Sequence, residues 1–321
     1  MLLAPAEISM SNTLPRRIVI VDSSSFLHRF YHGYPPRQGQ VDGQFVESAA
    51  LYGYMYYMGT LQNEIEFEGI VHCLDNPEGS AYRKELYAPY KANRSDKSED
   101  LIYQEAMLAP LLNSLGHRVL QVPGVEADDL VGSLARKLAD QGDEVLVLTG
   151  DKDLMQLVDD GRILLADFKD QGPGRPKQHV FLESQQVVEK CGVRPDQVAD
   201  FLALVGDASD NIPGVFKVGP KTAATWLNKY GSLANLMTHA SEIKGKAGEN
   251  LRTALPELPI FRRLTGCLDL PVEVPPPGQL NTDWARDLVA WPERWSDATL
   301  PHPAPAMEED TAPRSVKRAC P

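Results

Sequence analysis

Nine carboxylates stand where strands end or helices begin. Asp22 follows the apolar run RIVIV, Asp75 follows GIVHCL, and Asp151 follows DEVLVLTG with Asp153 two residues on. GVEADDLVG places Glu126, Asp128 and Asp129 at a helix start, and LVGDASDNIPG places Asp207 and Asp210 before a glycine-bounded turn. Each has an ordinary explanation alone, because acids cap helix N-termini and form turns after strands. Together they need another. Strand-end carboxylates of a parallel sheet converge on one edge, where they repel each other unless cations neutralise them. Oxygen ligands with no Cys or His among them suit Mg²⁺ or Mn²⁺, which keep several waters and bind substrate phosphates. Two such ions, roughly 4 Å apart, can activate a water and stabilise the leaving oxygen of a phosphodiester. The pattern reads as a metal-dependent phosphodiesterase.

Two basic segments supply a grip on a polyanion. YRKELYAPYKANRSDK (82–97) carries Arg83, Lys84, Lys91, Arg94 and Lys97 against only Glu85 and Asp96. Arg83, Tyr87, Tyr90 and Arg94 share a helical face, mixing cations with stacking surfaces as single-strand binders do, although Pro89 breaks any continuous helix. Residues 211–231 hold Lys217, Lys221 and Lys229 and no acid. There Gly214 and Gly219 bound a tight turn, and Pro220 opens the helix PKTAATWLNKYG, whose first N–H groups favour a phosphate oxygen. The chain's net charge of −12 argues against nucleic acid only until this uneven distribution is seen.

These residues need a frame. RIVIVDS (17–23), GIVHCLD (69–75), HRVLQVP (117–123), DEVLVLTGD (143–151) and RILLADF (162–168) read as strands, apolar enough to be buried on both faces. Helices are expected over 45–63, 98–115, 128–141 and 153–158. A βαβα succession implies an α/β fold with a mostly parallel sheet, whose ligands lie at the carboxyl ends of the strands. After the loop DQGPGRPKQ (170–178) the pattern is helical to about residue 268. Ten of the 25 prolines fall in 271–321. In that stretch Trp284, Leu288, Trp291 and Trp295 would share the face of a short helix, and the last 20 or so residues read as disordered. Four distant cysteines without a CxxC pair fit a reducing cytoplasm and exclude a zinc or disulfide framework. No run approaches a membrane span, and the N-terminus is a poor secretory signal, with Met10 a second candidate start.

IVIVDSSSFLHRFYHGYPP, YRKELYAPYKANR, PGVEADDLVGSLA, VLTGDKDLMQLV and GDASDNIPGVFKVGPKTA together resemble the 5′ nuclease family: flap endonucleases, phage 5′ exonucleases and the 5′-nuclease domain of bacterial DNA polymerase I. The resemblance covers residues 17–268 with the motifs in family order, and no polymerase domain follows, as in stand-alone members. It implies a PIN-like catalytic core over 17–180 with a gateway at about 80–100. A helical part with a helix–hairpin–helix variant would follow over 181–270, flanked by an extension at 1–16 and a tail at 271–321. It implies that Asp75, Glu126, Asp128 and Asp129 hold one metal with Asp22 beside them, and that Asp151, Asp153, Asp207 and Asp210 form a more distant group. Arg83, Lys84, Lys91 and Arg94 would meet phosphates near the cut, with Asp22, Arg83 and Lys84 in catalytic roles. Arg29 and His32 match positions near the 5′ end. Gly214, Lys217, Gly219, Lys221 and Thr222 would grip duplex, often around a K⁺ in the family, although Lys217 stands where relatives have a second glycine and Ala208 where they have serine. The implied activity is Mg²⁺- or Mn²⁺-dependent 5′–3′ exonuclease and flap cleavage by a cytoplasmic monomer acting on DNA with a 5′ end, nick or 5′ flap. The rivals are removal of RNA primers by the same fold and a module that holds branched DNA without cutting it.

Overall fold

The computed structural model describes residues 15–41, 44–169 and 178–274. The extension over 1–14 and the Trp-bearing segment lie outside these residues. In chain order the first half runs β1 (Arg17–Asp22), α1 (Ser23–Gly33), the hairpin β2 (Gln38–Val41) and β3 (Gln44–Glu47), α2 (Ala49–Glu64), β4 (Gly69–Cys73), α3 (Ala81–Leu86), α4 (Glu99–Ser114) and β5 (Arg118–Leu120). It continues with α5 (Ala127–Asp140), β6 (Glu144–Leu148), a 3₁₀ turn at Asp153–Leu157, β7 (Ile163–Lys169) and β8 (Gln178–Leu182). The helical part follows: α6 (Ser184–Cys191), α7 (Val198–Val205), α8 (Pro220–Tyr230), α9 (Leu233–Thr238), α10 (Gly245–Ala254) and α11 (Leu258–Thr265).

Six strands form one sheet in the order β5-β4-β1-β6-β7-β8, parallel except for β8, which pairs antiparallel with β7. All five expected strands are in it. The edge strand β8 was not expected, because QHVFL is short and follows a proline-rich loop. The β2–β3 hairpin was not expected either, and it takes the first turn of the helix expected from residue 45.

The alternation of a strand explains why the central runs are apolar throughout. Ile18 and Ile20 of β1, with Val145 and Val147 of β6, pack in one core against α5 and the helical part. Val19, Val21, Leu146 and Leu148 point the other way, against α1, α2 and α4. Both faces are covered, so the only wet part of the central strands is their ends, and the parallel arrangement puts Asp22, Asp75 and the segment after β6 at one end.

Residues 266–274 return across the catalytic layer. Ser133 Oγ accepts from Leu270 N and donates to the Leu268 carbonyl, and Lys137 donates to the Val272 carbonyl. Gly132 permits the approach, since a Cβ there would lie 2.8 Å from Cys267 Cβ. Val272 is buried, so the packed body runs past the boundary expected near residue 270.

Candidate active site

Local hydrogen bonding fixes the carboxylates at the sheet edge. Asp22 ends β1, caps α1 through Ser25 N at 3.3 Å and accepts from Thr149 Oγ1 at 2.8 Å. Thr149 is one residue past β6, where the parallel register Val21↔Leu148 brings it level with Asp22. Asp75 accepts from Ala127 N at 2.8 Å, so it caps α5 from the end of β4. That cap carries Asp128, in the first turn of α5, to the same edge. Asp151 accepts from Asp153 N at 2.8 Å, which folds the GDKD segment tightly against the sheet.

The electrostatics divide the acids into two classes. Burial, then the charges of Asp151 and Asp75, pushes Asp22 up to about 7. Burial and the neighbouring Asp22, Asp151 and Asp75 push Asp128 well above the usual carboxylate range. Asp153 is raised to about 8 by burial, with Asp151 and Asp207 adding to it, and Asp151 is raised by burial together with Asp210 and Asp207. Asp151 therefore links the two groups expected to be separate, because it bears on Asp22 and Asp128 as well as on Asp153. One oxygen of Asp153, Oδ1, is buried with no hydrogen-bond donor.

The other acids are already neutralised from within. Arg83, only 4% exposed, donates through Nη1 to Glu126 at 2.8 Å and to Asp129 at 2.6 Å, and through Nη2 to Asp129 at 2.8 Å. It also donates to the carbonyls of Leu264 and Gly266, and so joins the gateway segment, α5 and the C-terminal strap. Lys91 Nζ lies 2.6 Å from Glu126 Oε1 and 4.0 Å from Asp210 Oδ2. Arg94 holds Asp210 at 2.8 Å, and Lys152 holds Asp207 at 2.9 Å. Although burial acts the other way, bonds from Ser209 and Lys152 keep the Asp207 carboxyl below its ordinary range.

Two expected roles are corrected by this geometry. Arg83 does not face a phosphate, because its guanidinium is buried in a bidentate pair. Asp129 does not face the cluster as a ligand, since both its oxygens receive Arg83 and Oδ1 also receives Leu268 N at 2.8 Å. The helical face of Arg83, Tyr87, Tyr90 and Arg94 does not form either. Helix α3 stops at Leu86, and the chain turns through Pro89. Tyr90 is buried there and donates to Glu126 at 3.1 Å and Asp210 at 2.9 Å. Arg29 is committed to Asp167 at 2.5 Å and lies over the Phe168 ring. Lys84 and Arg94 remain exposed. With Lys91 and Lys97 they line a cleft of about 560 Å³ that also reaches Ser24, Asp75 and Glu126.

Sequence reasoning missed Thr149, Tyr90 and Lys152 as carboxylate partners. Lys152 had a signal, as it lies between two aspartates in GDKD. Tyr90 and Thr149 had none, since their partners are distant in the chain.

The basic hairpin follows Asp207 and Asp210 in the chain. Val218 N donates to the Val215 carbonyl at 3.0 Å, closing a four-residue turn with Phe216 and Lys217 at its centre. Lys217 has φ 58°, the second central position where such turns take glycine. A lysine there costs roughly 1 kcal/mol relative to its relaxed backbone. Gly214, at φ 62°, cannot carry a Cβ, which would meet Gly206 N at 2.4 Å. That contact seats the hairpin on the end of α7.

Comparison with known proteins now decides the family. The family model described as "5'-3' exonuclease, N-terminal resolvase-like domain" matches residues 17–192, and "5'-3' exonuclease, C-terminal SAM fold" matches 193–282. The chain belongs to the 5′–3′ exonuclease family. The second match runs past residue 268, where the resemblance was expected to end. A 5′–3′ exonuclease of Buchnera aphidicola (subsp. Schizaphis graminum) is 32% identical over 255 residues, 79% of this chain and 84% of that protein. DNA polymerase I of Mycobacterium tuberculosis is 34% identical over 287 residues, 89% of this chain but 30% of the polymerase. The chain thus spans about a third of the length of the polymerases it matches. The T5 D15 protein co-crystallised with metal ions has a TM-score of 0.61 at 20% identity, covering 88% of this chain and 96% of its own. The catalytic core of Rad2 with DNA substrate has a TM-score of 0.53 at 16% identity, covering 89% and 92%. These two likenesses establish the fold. Among the described residues no helix is long and apolar enough to cross a membrane.

Proposed function

We propose that the chain is a divalent-metal-dependent 5′-nuclease that hydrolyses DNA phosphodiesters at a 5′ end, nick or flap. The observation that carries this reading is the uncompensated half of the carboxylate edge. Asp22, Asp128, Asp151 and Asp153 hold raised pKa values, and Asp153 Oδ1 has no donor. A fold that satisfies Glu126 and Asp129 internally has left these acids for a cation from outside. Among the described residues no three of them close into a direct cage.

Asp22, Asp75, Asp128, Asp151 and Asp153 would hold Mg²⁺ or Mn²⁺. When bound, such ions supply a water of lowered pKa and charge stabilisation at the leaving oxygen. The chain's own cations do the rest. Lys91 and Arg94 sit where a phosphate entering the cleft would meet them, and each can shift from its carboxylate toward the more concentrated charge. Lys84, exposed at the cleft, draws in the single strand, and Lys97, held by Glu105 at 2.6 Å, adds its charge to the same lining. Lys217, Lys221 and Thr222, around the first turn of α8, grip duplex phosphates away from the cut through their side chains.

The test compares labelled 5′-flap DNA, nicked duplex and RNA-primed duplex in Mg²⁺ and in EDTA. Metal-dependent release from the 5′ side of the DNA substrates supports the reading. Binding without release in Mg²⁺ and in Mn²⁺ overturns it in favour of a non-cutting module.

A further inference from the structure

In the turn Val215–Phe216–Lys217–Val218 the outer residues are buried, at 2% and 4% exposed, while Phe216 at the tip is 69% exposed. Among the described residues no other large apolar side chain recorded as exposed is as open. A buried aromatic would be ordinary, but one held out into water needs a reason. The tip is also rigid. Asn250 Nδ2, from α10, donates to the Phe216 carbonyl at 2.7 Å, and Val215 N donates to Leu204 O at 2.8 Å. Lys217 keeps a backbone conformation that glycine would hold without strain, and its Nζ lies 5.3 Å from the Phe216 ring centroid. Lys221 lies three residues past the turn, and α10, whose Asn250 holds the tip, begins just after Lys244, with Lys246 paired to Glu249 at 2.8 Å.

We propose that Phe216 and Lys217 form a two-residue duplex contact, in which the ring packs on a deoxyribose and the ammonium meets the adjacent phosphate. This rests on the reading of the hairpin as a duplex grip. Charge complementarity selects a nucleic acid over an apolar protein partner, because an aromatic with a lysine ammonium beside it is suited to a surface that alternates sugar and phosphate. The two residues make different kinds of contact. An apolar contact releases no counterion, so it adds affinity independent of salt, whereas a phosphate contact steepens the salt dependence.

The experiment measures affinity for nicked duplex by anisotropy in Ca²⁺ over a salt series, with wild type, Phe216→Ala, Phe216→Leu, Lys217→Gly and Lys221→Ala. Half-burial of a phenyl ring predicts that Phe216→Ala weakens binding about fivefold at every salt concentration, with Phe216→Leu recovering part of the loss. Lys217→Gly keeps the turn and lowers the slope of log K on log salt by about one. Phe216→Ala binding as wild type, or changing the slope, overturns the proposal while Lys221→Ala still weakens binding. If Lys221→Ala also leaves duplex affinity intact, the duplex grip itself fails. Melting temperatures separate either outcome from misfolding.

Discussion

One sheet edge carries two sets of carboxylates that the fold treats in opposite ways. Glu126 and Asp129 receive a buried arginine, a tyrosine and a lysine. Asp22 and Asp151, at the ends of other strands, receive only backbone and hydroxyl donors, Asp153 Oδ1 receives none, and among the described residues neither these nor Asp128 is in an ion pair. Burying ionised groups is expensive unless they are paired. The first set therefore behaves as structure, tying the gateway segment to α5 and the C-terminal strap. The second set keeps its repulsion until something positive arrives. On the proposed reading, like carboxylates are separated into support and chemistry by whether the chain supplies the counter-charge.

The largest effect that would sharpen this contrast is on turnover. Asp151→Asn removes a charge from the uncompensated set and should slow single-turnover cleavage of flap DNA in Mg²⁺ by at least about a thousandfold. Its melting temperature in EDTA should stay at or above that of wild type, because repulsion has been relieved. Cleavage within tenfold of wild type would collapse the distinction between the sets.

Arg83 tests the other side. Arg83→Met strands Asp129 and Glu126 in a buried place and should cost about 3–5 kcal/mol in denaturant unfolding. DNA binding by whatever fraction stays folded should be unchanged. Unaltered stability with weakened binding would restore Arg83 to the phosphate-facing role expected from its sequence motif.

A smaller effect is the coupling of metal to pH. Asp22 near 7 and Asp153 near 8 are raised above the unfolded carboxylate value. Their contribution without metal is therefore fully favourable below about pH 4 and declines as pH rises through 7 to 8. Divalent ions need the ionised forms. The rise in melting temperature caused by Mg²⁺ should be near zero at pH 5.5 and grow through pH 8. His72 and His117, buried and lowered, act in the opposite sense on acidification, His117 with a pKa of about 4. Scoring the difference between Mg²⁺ and EDTA at each pH cancels them. A pH-independent increment would place the ions elsewhere.

The parallel sheet was legible because buried runs such as IVIV and VLVL are apolar at every position, and the site because aspartates follow three of those runs. The fate of each acid was not. Arg83 lies in a lysine-rich segment that reads as solvent-facing, and its partner Asp129 is 46 residues away, so only the folded chain reveals the pair. The link between Asp22 and Thr149 depends on strand register, which no local pattern carries. Lys217 was visible as a departure from glycine, but not as a strained turn that displays Phe216.

The most direct test of the central claim counts bound metal. Mn²⁺ titrated at pH 8 and followed by electron paramagnetic resonance should show about two ions per chain for wild type. Asp151→Asn should lose one or both, whereas Lys91→Ala, with its carboxylates intact, should keep them. Wild-type occupancy in Asp151→Asn would contradict the assignment of the uncompensated carboxylates as the metal site.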